Sequence, residues 1–206
     1  VTTGTLALGD GTNGGLAANY TLVGGTNLAD VTAKAVTLDG TRSYNASADV
    51  ANSIFSIVGL VGAQTLVLSG TGTVVSANVG NDKAVTLGTL AIADGTNGGL
   101  AANYTLTQAG SVADITTKVI SIDGTRIYDG TANVSNSIFT LSGMIGTQTL
   151  TLSGTGTVAS ANVGNDKAVT TGTLALGDGT NGGLASNYTL AGGTNLADIT
   201  AKSVTL

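Results

Sequence analysis

A period of 84 residues constrains this chain more than anything else in it: Asn19-Tyr20-Thr21-Leu22 returns as Asn103-Tyr104-Thr105-Leu106 and again as Asn187-Tyr188-Thr189-Leu190. Asp39-Gly40-Thr41-Arg42 recurs at Asp123-Gly124-Thr125-Arg126 in the same register, as does Asn81-Asp82-Lys83-Ala84-Val85-Thr86 at Asn165-Asp166-Lys167-Ala168-Val169-Thr170. Solenoid units are about 20 to 50 residues long and bury their faces only against neighbours. The longer unit here can enclose a core, so the pattern predicts modules in a line rather than a continuous coil.

The register also sets expected boundaries, near Lys34, Lys118 and Lys202. Residues 1–33 read as the C-terminal part of a repeat, 34–117 and 118–201 as full repeats, and 202–206 as the start of the next. Val1-Thr2-Thr3-Gly4 aligns with Val85-Thr86-Leu87-Gly88, so the chain is expected to open inside a repeat of something longer. Between modules, Ala29 to Leu38 holds no Pro or Gly. A strand passing directly from module to module leaves little torsional freedom, unlike a Gly/Ser linker, and predicts a stiff array.

Strand signals fill each repeat. Thr65-Leu66-Val67-Leu68-Ser69, Ala84-Val85-Thr86-Leu87 and Thr89-Leu90-Ala91-Ile92 alternate apolar with small or polar residues, which turns one face to a core and the other to water. Frequent Gly and β-branched Thr and Val disfavour helix. The expected fold class is all-β: tandem small β-sandwich modules, Ig-like or related, arranged as an elongated rod. Strands are expected near 35–44, 54–58, 64–76, 83–93 and 103–116. Breaks at Gly in the longer ones bring the total to six or seven. Gly70-Thr71-Gly72 and Gly154-Thr155-Gly156 predict a bulge or sharp bend. The Asn-Gly step of Asp10-Gly11-Thr12-Asn13-Gly14-Gly15, repeated from Asp94 and Asp178, predicts positive φ in a hairpin or longer loop.

The residue inventory excludes most chemistry. The chain has no Cys, His, Trp, Pro or Glu, so all twelve acids are Asp. General acid-base work, nucleophilic catalysis and zinc binding draw on residues that are missing here, and the chain is not expected to be an enzyme. Its seven Lys and Arg are scattered and the net charge is −5, which argues against nucleic acid as a partner. The longest apolar runs, such as Ile54 to Val61, are broken by Ser56 and Gly59 and fall short of the ~20 residues a spanning helix needs, so no membrane insertion is expected. With 42% hydrophobic residues the chain can bury a core, which separates it from disordered sequences of low charge. Absence of Cys, an acidic balance and tandem repetition fit an exported protein.

Tyr128-Asp129-Gly130-Thr131 follows an extended Val/Ile/Ser strand. Further along come an Ala-Asn-Val-Gly-Asn step, Asn187-Tyr188-Thr189-Leu190 and Ala197-Asp198-Ile199-Thr200-Ala201-Lys202. In this order the motifs resemble the YDG repeat, over essentially the whole chain. That family, with the related MBG repeats, occurs in tandem in large bacterial surface proteins, many similar to filamentous haemagglutinin-type adhesins exported by Gram-negative bacteria. The resemblance implies a cell-surface location, an elongated β-rich stalk and a role in adhesion or biofilm formation; it implies no catalytic residue and no defined ligand. The preceding repeat reads Tyr44-Asn45-Ala46-Ser47 at the same place, so Asp and Gly are not both required there.

Three sets of side chains are candidates for more than structure. Asp10, Asp94 and Asp178 could join other oxygens around calcium, the one cofactor the chain suggests. One carboxylate per loop favours a local Asx-turn instead. Lys34, Lys118 and Lys202, with Lys83 and Lys167 beside Asp82 and Asp166, could form isopeptide crosslinks to Asn if desolvated. Exposed strand lysines that discourage aggregation are the preferred reading. Tyr20, Tyr104 and Tyr188 could stack on sugar rings, but a core position with the hydroxyl paired to backbone is preferred. The expected function is therefore a structural spacer whose partners are neighbouring repeats, and the alternative is a multivalent module for host or matrix glycans.

Overall fold

The computed structural model describes residues 2–24, 28–190 and 195–206. It divides into two compact units, Val1–Lys34 and Ala35–Leu206. The first unit holds one 3-10 turn, Ala17–Asn19, and no strand before Lys34 among its described residues. Its Asp10 loop is closed locally, with Gly11 N donating to Gly15 O at 2.7 Å and Ala17 N to Asp10 Oδ1 at 2.7 Å.

The second unit contains both complete repeats, and each has nine strands. In the first they are β1 (Lys34–Ser43), β2 (Asp49–Ala51), β3 (Phe55–Val58), β4 (Leu66–Ser69), β5 (Thr71–Val74), β6 (Gly80–Thr86), β7 (Ala91–Asp94), β8 (Tyr104–Leu106) and β9 (Val112–Thr116). In the second they are β10 (Lys118–Ile127), β11 (Asn133–Ser135), β12 (Phe139–Ser142), β13 (Leu150–Ser153), β14 (Thr155–Val158), β15 (Gly164–Thr170), β16 (Ala175–Asp178), β17 (Tyr188–Leu190) and β18 (Leu196–Thr200). The fold is all-β with open sheets. Strands run β2-β5-β6-β9-β1-β3 in one sheet, β8 also pairs β1, and β4 and β7 form a separate antiparallel pair; the second repeat has the same order.

Alternation explains the strands. In β1, Val36, Leu38 and Gly40 point inward while Lys34, Asp39 and Thr41 stay accessible. The expected 64–76 strand is two, because Gly70 lies between β4 and β5 with φ +91°. A Cβ there would sit 2.1 Å from Thr89 O, so the bend accepts only glycine. β4 then pairs β7, and β5 leaves it to pair β2 and β6. All three of the longer expected strands are divided in this way, and with the three-residue β2 the count reaches nine, above the six or seven expected. Asn13, Asn97 and Asn181 all have positive φ, as their Asn-Gly steps predict, and in the complete repeats they lie in the longer-loop form, between strands that do not pair with each other.

One pairing and one short connection fix how one repeat hands over to the next. β9 lies parallel to β1, with Asp39 opposite Val112 and Ser43 opposite Thr116. Only Thr117 separates β9 from β10. At the centre of each repeat a buried polar side chain ties β1 or β10 to the last loop: Ser111 Oγ accepts from Leu38 N at 3.0 Å, and Asn195 Oδ1, at the equivalent position, from Ile122 N at 3.2 Å.

The cores differ from the expectation that each repeat closes its own. Ile122, Val134, Val158, Val169, Leu174, Ala197 and Ile199 form the second core. Their equivalents in the first repeat form a cluster that continues into Ile120, Leu150 and Tyr188 of the second. Apolar burial, the main favourable term in folding, thus runs across the repeat boundary.

Candidate functional site: the junction between repeats

The junction is built from one end of the first repeat and the opposite end of the second. Tyr44 leaves β1 at the far end of the first repeat, and its N–H donates to Thr116 O at 2.8 Å beside the β1/β9 pairing. From the second repeat comes the 3-10 turn Ala185–Asn187, entered from the loop that begins at Asp178. Asp178 Oδ1 accepts from Ala185 N at 2.7 Å and so anchors the turn. That turn carries Asn187 and delivers Tyr188.

Rings and polar groups meet there with every named donor matched. The Tyr44 and Tyr188 rings pack edge to face, with centroids 5.4 Å apart at 76°. Tyr188 Oη accepts from Ile145 N at 3.2 Å and donates to Gln148 Oε1, and Gln148 Nε2 donates to Tyr44 Oη at 3.0 Å. Asn187, 0% exposed, accepts through Oδ1 from Val79 N at 2.9 Å and donates through Nδ2 to Asn78 Oδ1 at 3.0 Å. An edge-to-face pair adds about 0.5–1.5 kcal/mol beyond the area it buries. Stranding the Val79 N–H by removing Asn187 would cost about 1–3 kcal/mol. None of these contacts involves a charged group, so salt has little to screen.

The turn after Tyr44 and its equivalent after Tyr128 hold that tyrosine in place by the same means with different residues. In the second repeat Asp129 Oδ1 accepts from Thr131 N at 2.9 Å and Thr131 Oγ1 at 3.0 Å, pairs with Arg126, and Gly130 takes φ +84°. The Thr131 N–H bond, the largest effect, together with the Thr131 hydroxyl and Arg126, holds the Asp129 carboxyl below its ordinary value, against an opposing effect of desolvation. In the first repeat Asn45 Oδ1 accepts from Ser47 N at 3.0 Å and from Arg42, while Ala46 takes φ +63°. Asn reproduces the acceptor without the charge, and Ala bears the strained backbone that Gly relieves. Arg42 and Arg126 each leave a buried Nε without a partner among the described residues.

The residues singled out from sequence have these places. Asp94 and Asp178 have the same work as Asp10: Asp94 Oδ1 accepts from Ala101 N at 2.7 Å. Each of the three carboxylates anchors its own loop through one backbone bond, and among the described residues no group of three or more acids that could hold a metal ion stands together. Lys34 and Lys202 are exposed and Lys83, Lys118 and Lys167 half-buried, so none meets the desolvation a crosslink requires. Tyr104 and Tyr188 are buried, and Tyr104 Oη accepts from Val61 N at 3.1 Å as Tyr188 Oη does from Ile145 N. Both fit the core reading with backbone pairing; Tyr20, in the partial repeat, is 67% exposed. Sequence reasoning missed Gln148, Asn78 and the role of Asn187. Asn187 belongs to a motif that appears three times, yet Asn103 at the same position is exposed, and nothing local separates the two states.

The YDG domain family model matches residues 27–112 and 113–196. The chain belongs to the YDG domain family. No curated protein and no solved structure matches it. At the motif's position in the first repeat Tyr44 is a contact residue to the repeat that follows, and the residues after it form a hydrogen-bonded turn.

Proposed function

We propose that these YDG repeats are stalk repeats of an exported bacterial cell-surface adhesin of Gram-negative type. As small β-sandwich modules in an elongated rod, they hold a binding domain away from the cell for adhesion or biofilm formation, and they carry no catalytic role. The observation that carries the reading is the buried junction, in which Tyr44, Gln148, Asn187 and Tyr188 join one repeat to the next without a linker. A spacer needs resistance to bending at each joint, and matched hydrogen bonds with a shared apolar cluster supply it.

The pairing of β9 beside β1 supports a fixed step. Each repeat starts at the beginning of β1 and leaves beside its end, so successive repeats advance by one strand length. With ten residues in β1 and about 3.3 Å per residue, the step is about 30 Å. Reach then scales with repeat number. Small-angle scattering on chains with two, four and six repeats should show the maximum dimension rising linearly by about this step per added repeat. A maximum dimension that grows much more slowly, as for a compact globule, would contradict the spacer reading.

A further inference from the structure

The far end of the second repeat carries the same face that is filled at the junction, but uncovered. A shallow depression there is lined by Tyr128, Asn162, Val163, Ala201, Lys202 and Val204. One period earlier these are Tyr44, Asn78, Val79, Thr117, Lys118 and Ile120, of which Tyr44, Asn78 and Val79 meet Asn187 and Tyr188 of the second repeat. Tyr44 is 4% exposed and Tyr128 39%; Val163 is 56% exposed, whereas Val79 is half-buried. Ile120 is buried in β10, while Val204 at its position is exposed in a segment with no strand partner.

We propose that this face is a seat for the Asn-Tyr-Gln end of a further YDG repeat, with Lys202–Leu206 as that repeat's first strand. Its occupant presents an Asn side chain that bridges the Asn162 carboxamide and the Val163 N–H, and a Tyr ring that meets the edge or face of Tyr128. A Gln hydrogen-bonded to that Tyr reaches the Tyr128 hydroxyl. Selection is by shape and neutral hydrogen bonding, since the filled junction uses no charge. A charged or bulky end in place of Asn-Tyr would strand the Val163 N–H and be refused. The seat is defined by junction geometry alone, whatever surface the repeats project from.

The test compares the chain with one extended beyond Leu206 by a copy of residues 123–201, which continues the period and brings a new Gln, Asn and Tyr. Tetranitromethane nitration should modify Tyr128 readily in the present chain and severalfold more slowly in the extended one, with exposed Tyr20 unchanged as internal reference. Val163→Asp, at an exposed site, should leave the denaturation midpoint of the present chain in place and lower that of the extended chain. Equal nitration of Tyr128 in both chains, or an equal effect of Val163→Asp in both, would overturn the proposal. The spacer reading would remain subject to its own scattering test, because a loosely hinged repeat could still add length.

Discussion

The two complete repeats carry nearly the same residues at their outgoing ends, yet Tyr44 is buried and Tyr128 half-exposed. Likewise Asn187 is enclosed and Asn103 exposed at the same place in the Asn-Tyr motif. The difference lies in the neighbour and not in the residue. A contact made between repeats therefore adds stability only where both faces are present, and the same substitution at equivalent positions should have unequal effects.

Substituting the tyrosines should give the largest contrast. Tyr44→Ala removes a buried ring from the shared cluster and should lower stability by about 3 kcal/mol in urea titrations, while Tyr128→Ala should cost under about 1 kcal/mol. Equal costs would mean that the ring serves only its own repeat. Asn187→Ala should follow at about 2 kcal/mol, through the stranded Val79 N–H, against about 0.5 kcal/mol or less for Asn103→Ala.

Smaller effects separate the turns behind the two tyrosines. Ala46→Gly should stabilise the chain by about 1 kcal/mol, and Gly130→Ala should destabilise it to a similar degree, as read from thermal midpoints. An Ala46→Gly variant that is less stable would show that the left-handed turn is not strained. The smallest contrast is in acid. Because the folded-state carboxyl of Asp129 lies below the ordinary 3.8, its contribution is present above that value and is lost as pH falls through the lower folded one. Asp129→Asn should flatten the acid side of the stability profile, and Asn45→Asp should add the same dependence to the first repeat. Amide chemical shifts of Thr131 followed through an acid titration would report it directly.

Much of the fold is legible from pattern. The period gave the repeats, alternation gave most strands, Gly70 gave the bend and the Asn-Gly steps gave positive φ, because each is a local consequence of side chain and backbone. β2 was not visible, since three residues show no alternation to count. The β1/β9 pairing was not visible either, because Ser43 and Thr116 meet through the whole topology of the repeat. At the junction, Tyr188 could be read as a core residue with its hydroxyl paired, but not that it reaches Tyr44 of another repeat. Identical motifs sit in covered and uncovered states, so no local signal could assign one. Asp178 is a further case: an acid in a Gly-rich loop reads from sequence as an Asx anchor ahead of a calcium ligand, but its partner seven residues on, Ala185 N at 2.7 Å, is a product of the folded loop.

Coupling of the two repeats is tested most directly by native-state hydrogen exchange at Leu38 and Ile122, whose amides are tied at the two repeat centres to Ser111 and Asn195. In the unmodified chain both amides should open with the same free energy and the same denaturant dependence, and Tyr44→Ala should split them. Distinct opening free energies in the unmodified chain, left unchanged by Tyr44→Ala, would contradict the account.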